Sequence, residues 1–256
     1  MNLVIVERKD GVSYIHLNRP KSYNALNVDM LKELYDAVKQ VAENDDSFVV
    51  LTGNGNAFCA GGDMQMLKQF SEKEVYDDIM NTIKHISHTL YMMPKIVISS
   101  VKGAAAGLGL SLALTADYTV AHEEAKFGVL FIGVGLAPDG GGHFFLQERL
   151  GTHAAKQFTW SGMQVKGEEA VKKGLVDILT TGDVLEETDT LIHTLKHQPI
   201  QAIIASKMMY HEEKEDLLLH FLQEETNTQW QLRQTEDHEE GVHAFIEKRK
   251  PEFTGK

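Results

Sequence analysis

The chain has 256 residues, enough for one large α/β domain with an appended segment and a sizeable buried core. Its 37 acidic against 25 basic residues give a formal charge of −12, which excludes a general attraction to nucleic acid or to an anionic membrane surface. Cys59 is the only cysteine, so an intrachain disulfide and a cysteine-based zinc cluster are excluded, and a reducing compartment is the simplest setting.

The start, MNLVIVERKDG, lacks the basic, apolar and small-residue regions of a secretory signal and reads as a first strand. Leu3 to Glu7 and Val12 to Leu17 are β-type runs with Asp10-Gly11 between them, which predicts a hairpin. From Val28 to Asn44, Met30, Leu31, Leu34, Ala37, Val38 and Val41 recur at helical spacing, and the strand Phe48 to Thr52 follows. A glycine-rich segment from Gly53 to Asp63 leads to a helix around Glu72 to Tyr91, with Pro94 as its stop and Ile96 to Val101 as a buried strand. Strand, glycine turn and helix recur through Leu114. Asp117 to Ala121 reads as a strand, and a helix from Gly140 runs to Leu150 with Gly151 as its C-cap. Strands end near Ile178. Beyond Val184 the pattern is helical, with Pro199 interrupting it. The longest charge-free apolar stretch, Gly103 to Ala116, is shorter than the roughly 20 residues a membrane helix needs. The expectation is a cytoplasmic protein without a membrane span.

Two segments share a design in which a buried strand runs through small residues into a helix. One is Val49 to Gly53 through Phe58-Cys59-Ala60-Gly61-Gly62-Asp63; the other is Val97 to Val101 through Gly103-Ala104-Ala105-Ala106-Gly107-Leu108-Gly109. Glycine lets a backbone approach a ligand closely, and a helix start offers unpaired N–H groups to negative charge. The same glycines also suit tight turns and close packing alone. Neither segment contains a phosphate loop or a dinucleotide fingerprint, so nucleotide hydrolysis and nicotinamide chemistry lose support.

Asn18-Arg19-Pro20 with Asn24-Ala25-Leu26-Asn27, then Leu51-Thr52-Gly53 with Ala57 to Asp63, resembles the enoyl-CoA hydratase/isomerase (crotonase) superfamily in order and spacing. The resemblance continues through Lys102 to Gly109, Lys126-Phe127-Gly128, Pro138-Asp139-Gly140-Gly141-Gly142 and Glu240 to Arg249. It implies an α/β fold, a spiral of ββα units with a C-terminal helical oligomerisation segment, divided into a core at 1–195 that holds the acyl-CoA pocket and a segment at 196–256 that closes it and forms trimers or hexamers. It also implies that the backbone N–H groups of Gly62 and Leu108 bind the thioester oxygen, that Ala25, Ala60 and Met64 lie beside the adenosine of CoA, and that Ala60 adds a backbone contact. Asp63 is a ligand-binding candidate or a helix N-cap. Lys248, Arg249, Lys250 and Lys256 are candidates for the CoA phosphates.

A hydratase of this family resembles a two-carboxylate machine, and here Ser111 and Phe131 stand at the two glutamate positions. Phenylalanine moves no protons, and a serine hydroxyl is a poor acid or base without an activating partner. Asp139 is what remains. Pro-Asp-Gly before a helix also suits a turn and N-cap. The resemblance implies more: members that move double bonds in acyl-CoA, or displace groups from an aryl-CoA, can carry an aspartate at this matching position, pointing into the acyl pocket, where apolar walls should raise its pKa. His143, four residues on, and His122 are further candidates. With no H-x-x-x-H or H-E-x-x-H signature, no metal is expected, and no cofactor beyond coenzyme A as part of the substrate. The expected activity is enoyl-CoA isomerisation; hydration at an unconventional water site, decarboxylation of an acyl thioester and non-catalytic thioester binding remain open.

Overall fold

The computed structural model describes residues 2–64 and 72–256. Strands β1 (Val4–Lys9) and β2 (Val12–Leu17) form the expected hairpin. Asp10 and Gly11 both take positive φ, 52° and 75°, the backbone that a tight two-residue hairpin turn needs. From β2 the chain winds through α1 (Val28–Ala42), β3 (Phe48–Gly53), α2 (Lys73–Met92), β4 (Ile96–Val101), β5 (Ala104–Ala106), α3 (Leu108–Ala113), β6 (Tyr118–His122) and β7 (Lys126–Gly128). The large sheet has the order β1-β2-β3-β4-β6-β9, where β9 is Ile178–Thr180, and every pairing after the hairpin is parallel. A small second sheet, β5-β7-β8 with β8 at Gln164–Lys166, stands beside it. Successive turns of the spiral thus add one strand to each sheet.

β3 and β4 are buried at every residue, so their sequences read as continuous apolar runs rather than alternating ones. The period-two geometry still divides them. Val49, Leu51 and Val97 face the core with α1 and α2, while Phe48, Val50, Ile96 and Ile98 face a second core with Val184, Ile192 and Leu195 of α7 (Val184–Lys196). In chain order, a 3-10 turn at Leu130–Val134, α4 (Gly142–Leu150), α5 (Thr152–Ser161) and α6 (Gly167–Lys173) come between β7 and α7.

The 33-residue α8 (Ile200–Leu232) runs across both cores: Ile204 joins the second, Leu218 and Leu222 the first. Lys207 anchors it, donating to the Lys95 carbonyl and to Asp117 Oδ2, both at 2.8 Å. Helix α9 (Glu236–Glu247) packs on the 3-10 turn. Several of the apolar residues of α8 are used within the chain. Leu218 and Leu222 are buried and Phe221 and Trp230 pack against the core, whereas Met209, Tyr210 and Leu217 remain exposed.

Candidate functional site

The two glycine segments lie side by side. Cys59 donates to the Ala104 carbonyl at 2.9 Å and Ala106 donates back to the Cys59 carbonyl at 3.0 Å, a parallel bridge that continues the small sheet. Close contact demands glycine at two points. A Cβ on Gly61, at φ +97°, would stand 2.7 Å from the Ala106 carbonyl oxygen, and one on Gly109 would stand 2.4 Å from that of Cys59. No L-residue fits either place without backbone movement.

This pairing frees the two N–H groups singled out in the sequence. Leu26 bonds to the Gly61 carbonyl and to the Asp63 N–H, both at 2.8 Å, so the polar groups of Gly62 between them face away from Leu26. Leu108 is the first residue of α3, where a helix has no internal acceptor for N–H. Among the described residues neither N–H takes part in a hydrogen bond, and both residues line one cavity of about 330 Å³. The short α3 is set by Gly107 at φ 53°, beside which the Phe131 ring packs.

Ala60 and Met64 line the same cavity, and Ala25 and Asp63 are joined beside it by a residue that the sequence reading left without a role. Arg19 Nη1 donates to the Ala25 carbonyl and pairs with Asp63 Oδ2 at 3.0 Å. The Ala60 N–H is taken by the Tyr23 carbonyl at 3.0 Å, which leaves its carbonyl for a ligand. The helix that Asp63 would cap falls outside the described residues. Of the basic residues near the C-terminus, Arg249 is ion-paired with Glu240 and Glu247.

Asp139 lines the same cavity, together with Tyr76, Met80, Ile83, Leu136 and Phe131. Its local reading as an N-cap is corrected: Gly141 caps α4, and no side chain does so from position 139. Five backbone polar groups around it are instead bound by side chains of other helices. Gln229 donates to the Ala137 carbonyl at 2.6 Å, Ser111 Oγ to the Asp139 carbonyl at 2.7 Å and Ser87 Oγ to the Gly140 carbonyl at 2.8 Å. Glu225 accepts from the N–H groups of Gly141 at 2.7 Å and His143 at 3.0 Å, a carboxylate at a helix start where the dipole favours it.

The Asp139 carboxyl has Gln229 Nε2 at 3.4 Å from Oδ2, while Oδ1 is shut off from solvent and has no partner. Its pKa is raised to about 8, by burial first and by the Glu225 carboxylate second, with Arg233 opposing both. An unpaired oxygen on a carboxyl in an apolar wall is costly unless the group is neutral or has work to do.

The two missing glutamates leave visible marks. Ser111 is buried, with its hydroxyl taken by the Asp139 carbonyl, and it does not line the cavity. Phe131 does line it, so apolar ring replaces carboxylate. His143 turns away from Asp139 to Glu225, with Nδ1 2.8 Å from Oε1, and stacks on Phe221; His122 Nδ1 bonds the Glu124 N–H. Among the described residues no group of three or more His, Cys, Asp or Glu side chains could hold a metal ion, and no helix is long and apolar enough to cross a membrane.

Sequence reasoning missed Glu225, Gln229 and Arg233, the polar face that α8 turns towards Asp139. Their signal was present: polar residues at four-residue intervals continue the stripe of Leu218 and Leu222, where an apolar face would be expected.

The sequence profile described as Enoyl-CoA hydratase/isomerase matches residues 7–256. The chain is 42% identical over 243 residues to the Bacillus subtilis enoyl-CoA hydratase/isomerase YhaR, covering 95% of each protein. It is 34% identical to the trans-2-decenoyl-[acyl-carrier-protein] isomerase of Streptococcus mutans, covering 96% of each. The crystal structure of an enoyl-CoA hydratase from Mycobacterium avium subsp. paratuberculosis superposes with a TM-score of 0.89 at 29% identity, covering 99% of each chain. These relatives carry both hydratase and isomerase names on one α/β fold.

Proposed function

Since the chain belongs to the enoyl-CoA hydratase/isomerase family, we propose that within it this protein is an isomerase, moving the double bond of a 3-enoyl-CoA into conjugation with the thioester. The observation that carries this reading is that, among the described residues, Asp139 is the only acidic one lining the cavity. One carboxylate suffices for this reaction. Asp139 removes a proton from C2, the electrons of that C–H bond move into a dienolate, and the carboxylic acid so formed gives the proton back at C4. Charge on the thioester oxygen is held by the N–H groups of Gly62 and Leu108, placed before the reaction begins. The apolar wall keeps out water that would compete for the dienolate. Addition of water would need a second proton carrier, and Ser111, with its hydroxyl committed to the Asp139 carbonyl, is a poor one.

The pH dependence tests it. A base works ionised, so the isomerisation rate of 3-enoyl-CoA should climb with pH through about 8 and then level off, and Asp139→Asn should abolish that limb. A profile flat from pH 6 to 9 would remove Asp139 as the base; thioester binding without proton exchange at C2 would favour a binding protein.

Stability should carry the opposite sign. With its pKa raised from 3.8 to about 8, the native carboxyl keeps a proton that the unfolded chain releases. The stability this contributes is complete below about pH 4 and is lost as pH rises to about 8. Asp139→Asn should therefore melt higher than the wild type at pH 9, by an amount worth a few kcal/mol, with the gap closing near pH 4. Equal melting temperatures at pH 9 would contradict the burial argument.

The same reading gives residues 196–256 a role in assembly, supported by the exposed Met209 and Tyr210 on α8. Light scattering should return the mass of a trimer or hexamer, and a monomer would exclude it.

A further inference from the structure

Glu225, Gln229 and Arg233 follow one another at four-residue steps and occupy one side of the C-terminal part of α8. Glu225 and Gln229 are each 3% exposed, too deep for a solvent-facing role. Gln229 carries two protons on Nε2 and has two acceptors for them, the Ala137 carbonyl at 2.6 Å and Asp139 Oδ2 at 3.4 Å. The amide orientation is fixed by the shorter contact, because its oxygen at that place would meet a carbonyl oxygen. Nitrogen therefore faces the carboxyl.

We infer that Gln229 is a positioning residue for proton transfer: bound to Ala137, it holds the Asp139 carboxyl through Oδ2 and so fixes the orientation in which that carboxyl meets the substrate. That the carboxyl meets substrate rests on the isomerase reading; the hold of Gln229 on the carboxyl does not. The 3.4 Å contact is long for a neutral acid and is free to tighten into a charge-assisted bond when Asp139 ionises. Gln229 thus favours the base form, in a setting that otherwise opposes it. From α8 itself Glu225 disfavours the charge and Arg233 favours it. From α2, Tyr76 is coupled to both Asp139 and Arg233, with its hydroxyl on the Thr226 carbonyl at 2.6 Å. From α4, His143 faces Glu225 rather than Asp139. Gln229 is the neutral donor among these, and it responds to the protonation state without a charge of its own.

The test reads the carboxyl directly. Infrared difference spectra of the full-length protein, recorded against pH with Asp139→Asn marking the band, should show Asp139 ionising about one pH unit higher in Gln229→Met, which keeps the volume of the side chain and removes both donors. Isomerisation of 3-enoyl-CoA below the pH limb should fall about tenfold in kcat with KM changed by less than about twofold, and the limb should move up with the infrared titration. Gln229→Glu, of the same shape, should move the titration up further by adding like charge, and it decides the matter if the methionine variant does not fold. A folded variant with the Asp139 titration of the wild type, or a loss of kcat with no displacement in pH, would overturn the role of Gln229. If the wild type does not isomerise 3-enoyl-CoA, the assigned reaction fails, and the infrared titration still decides whether Gln229 holds the carboxyl.

Discussion

Asp139→Asn should lower kcat for isomerisation of 3-enoyl-CoA by about 10²–10⁴-fold and leave KM nearly unchanged. The size follows from the absence of a substitute. Among the described residues lining the cavity, Asp139 is the only carboxyl, and the Tyr76 hydroxyl is bound to the Thr226 carbonyl with a pKa raised by burial; the Ser111 hydroxyl, outside the lining, is bound to a carbonyl. Asparagine keeps the shape and the contact with Gln229 through its oxygen but cannot take a proton. Steady-state kinetics with circular dichroism as a folding control measures this. Retention of a tenth or more of the wild-type rate would move the base elsewhere.

Leu108→Pro should cost about 10²–10³-fold in kcat, the effect of losing one preorganised donor to an oxyanion. Leu108 is the first residue of α3, a position where proline is tolerated because that N–H has no helical acceptor. The helix can therefore survive while the donor disappears. Leucine itself packs, since its Cδ1 would lie 2.4 Å from a Cβ on Gly140, so Leu108→Ala is the necessary control. Alanine loses the same side chain and retains the N–H. Equal rates in the two variants would show that packing against Gly140, and not the N–H, is what position 108 supplies.

The parts of this molecule legible in the sequence are those fixed by short-range rules. Asp10-Gly11 dictated the hairpin, the apolar runs at 48–53 and 96–101 the central strands, and Gly151 the end of α4. Gly61 and Gly109 could be singled out because close approach leaves no room for a Cβ, although only the structure shows which carbonyl each would strike. Asp139 was legible as a candidate but wrongly legible as a cap. Pro-Asp-Gly obeys turn grammar, and nothing local reveals that Glu225, more than eighty residues away, has taken over the N–H groups at the start of α4. The same distance hid Gln229. An apolar stripe interrupted by Glu225 and Gln229 looks like an imperfect amphipathic helix until its partners are known. Leu218 and Leu222, on the same helix, are consumed by the core of their own chain.

A single carboxylate relocating a proton without consuming water is the central claim. Mass spectrometry, with chromatographic separation of the isomers, of the product formed from a 3-enoyl-CoA during the first turnovers decides it. The expected result is a product of unchanged mass whose double bond has moved to C2, made much faster than any adduct from 2-enoyl-CoA. A product heavier by one water, formed from 2-enoyl-CoA at a rate equal to or above that of isomerisation, would contradict it.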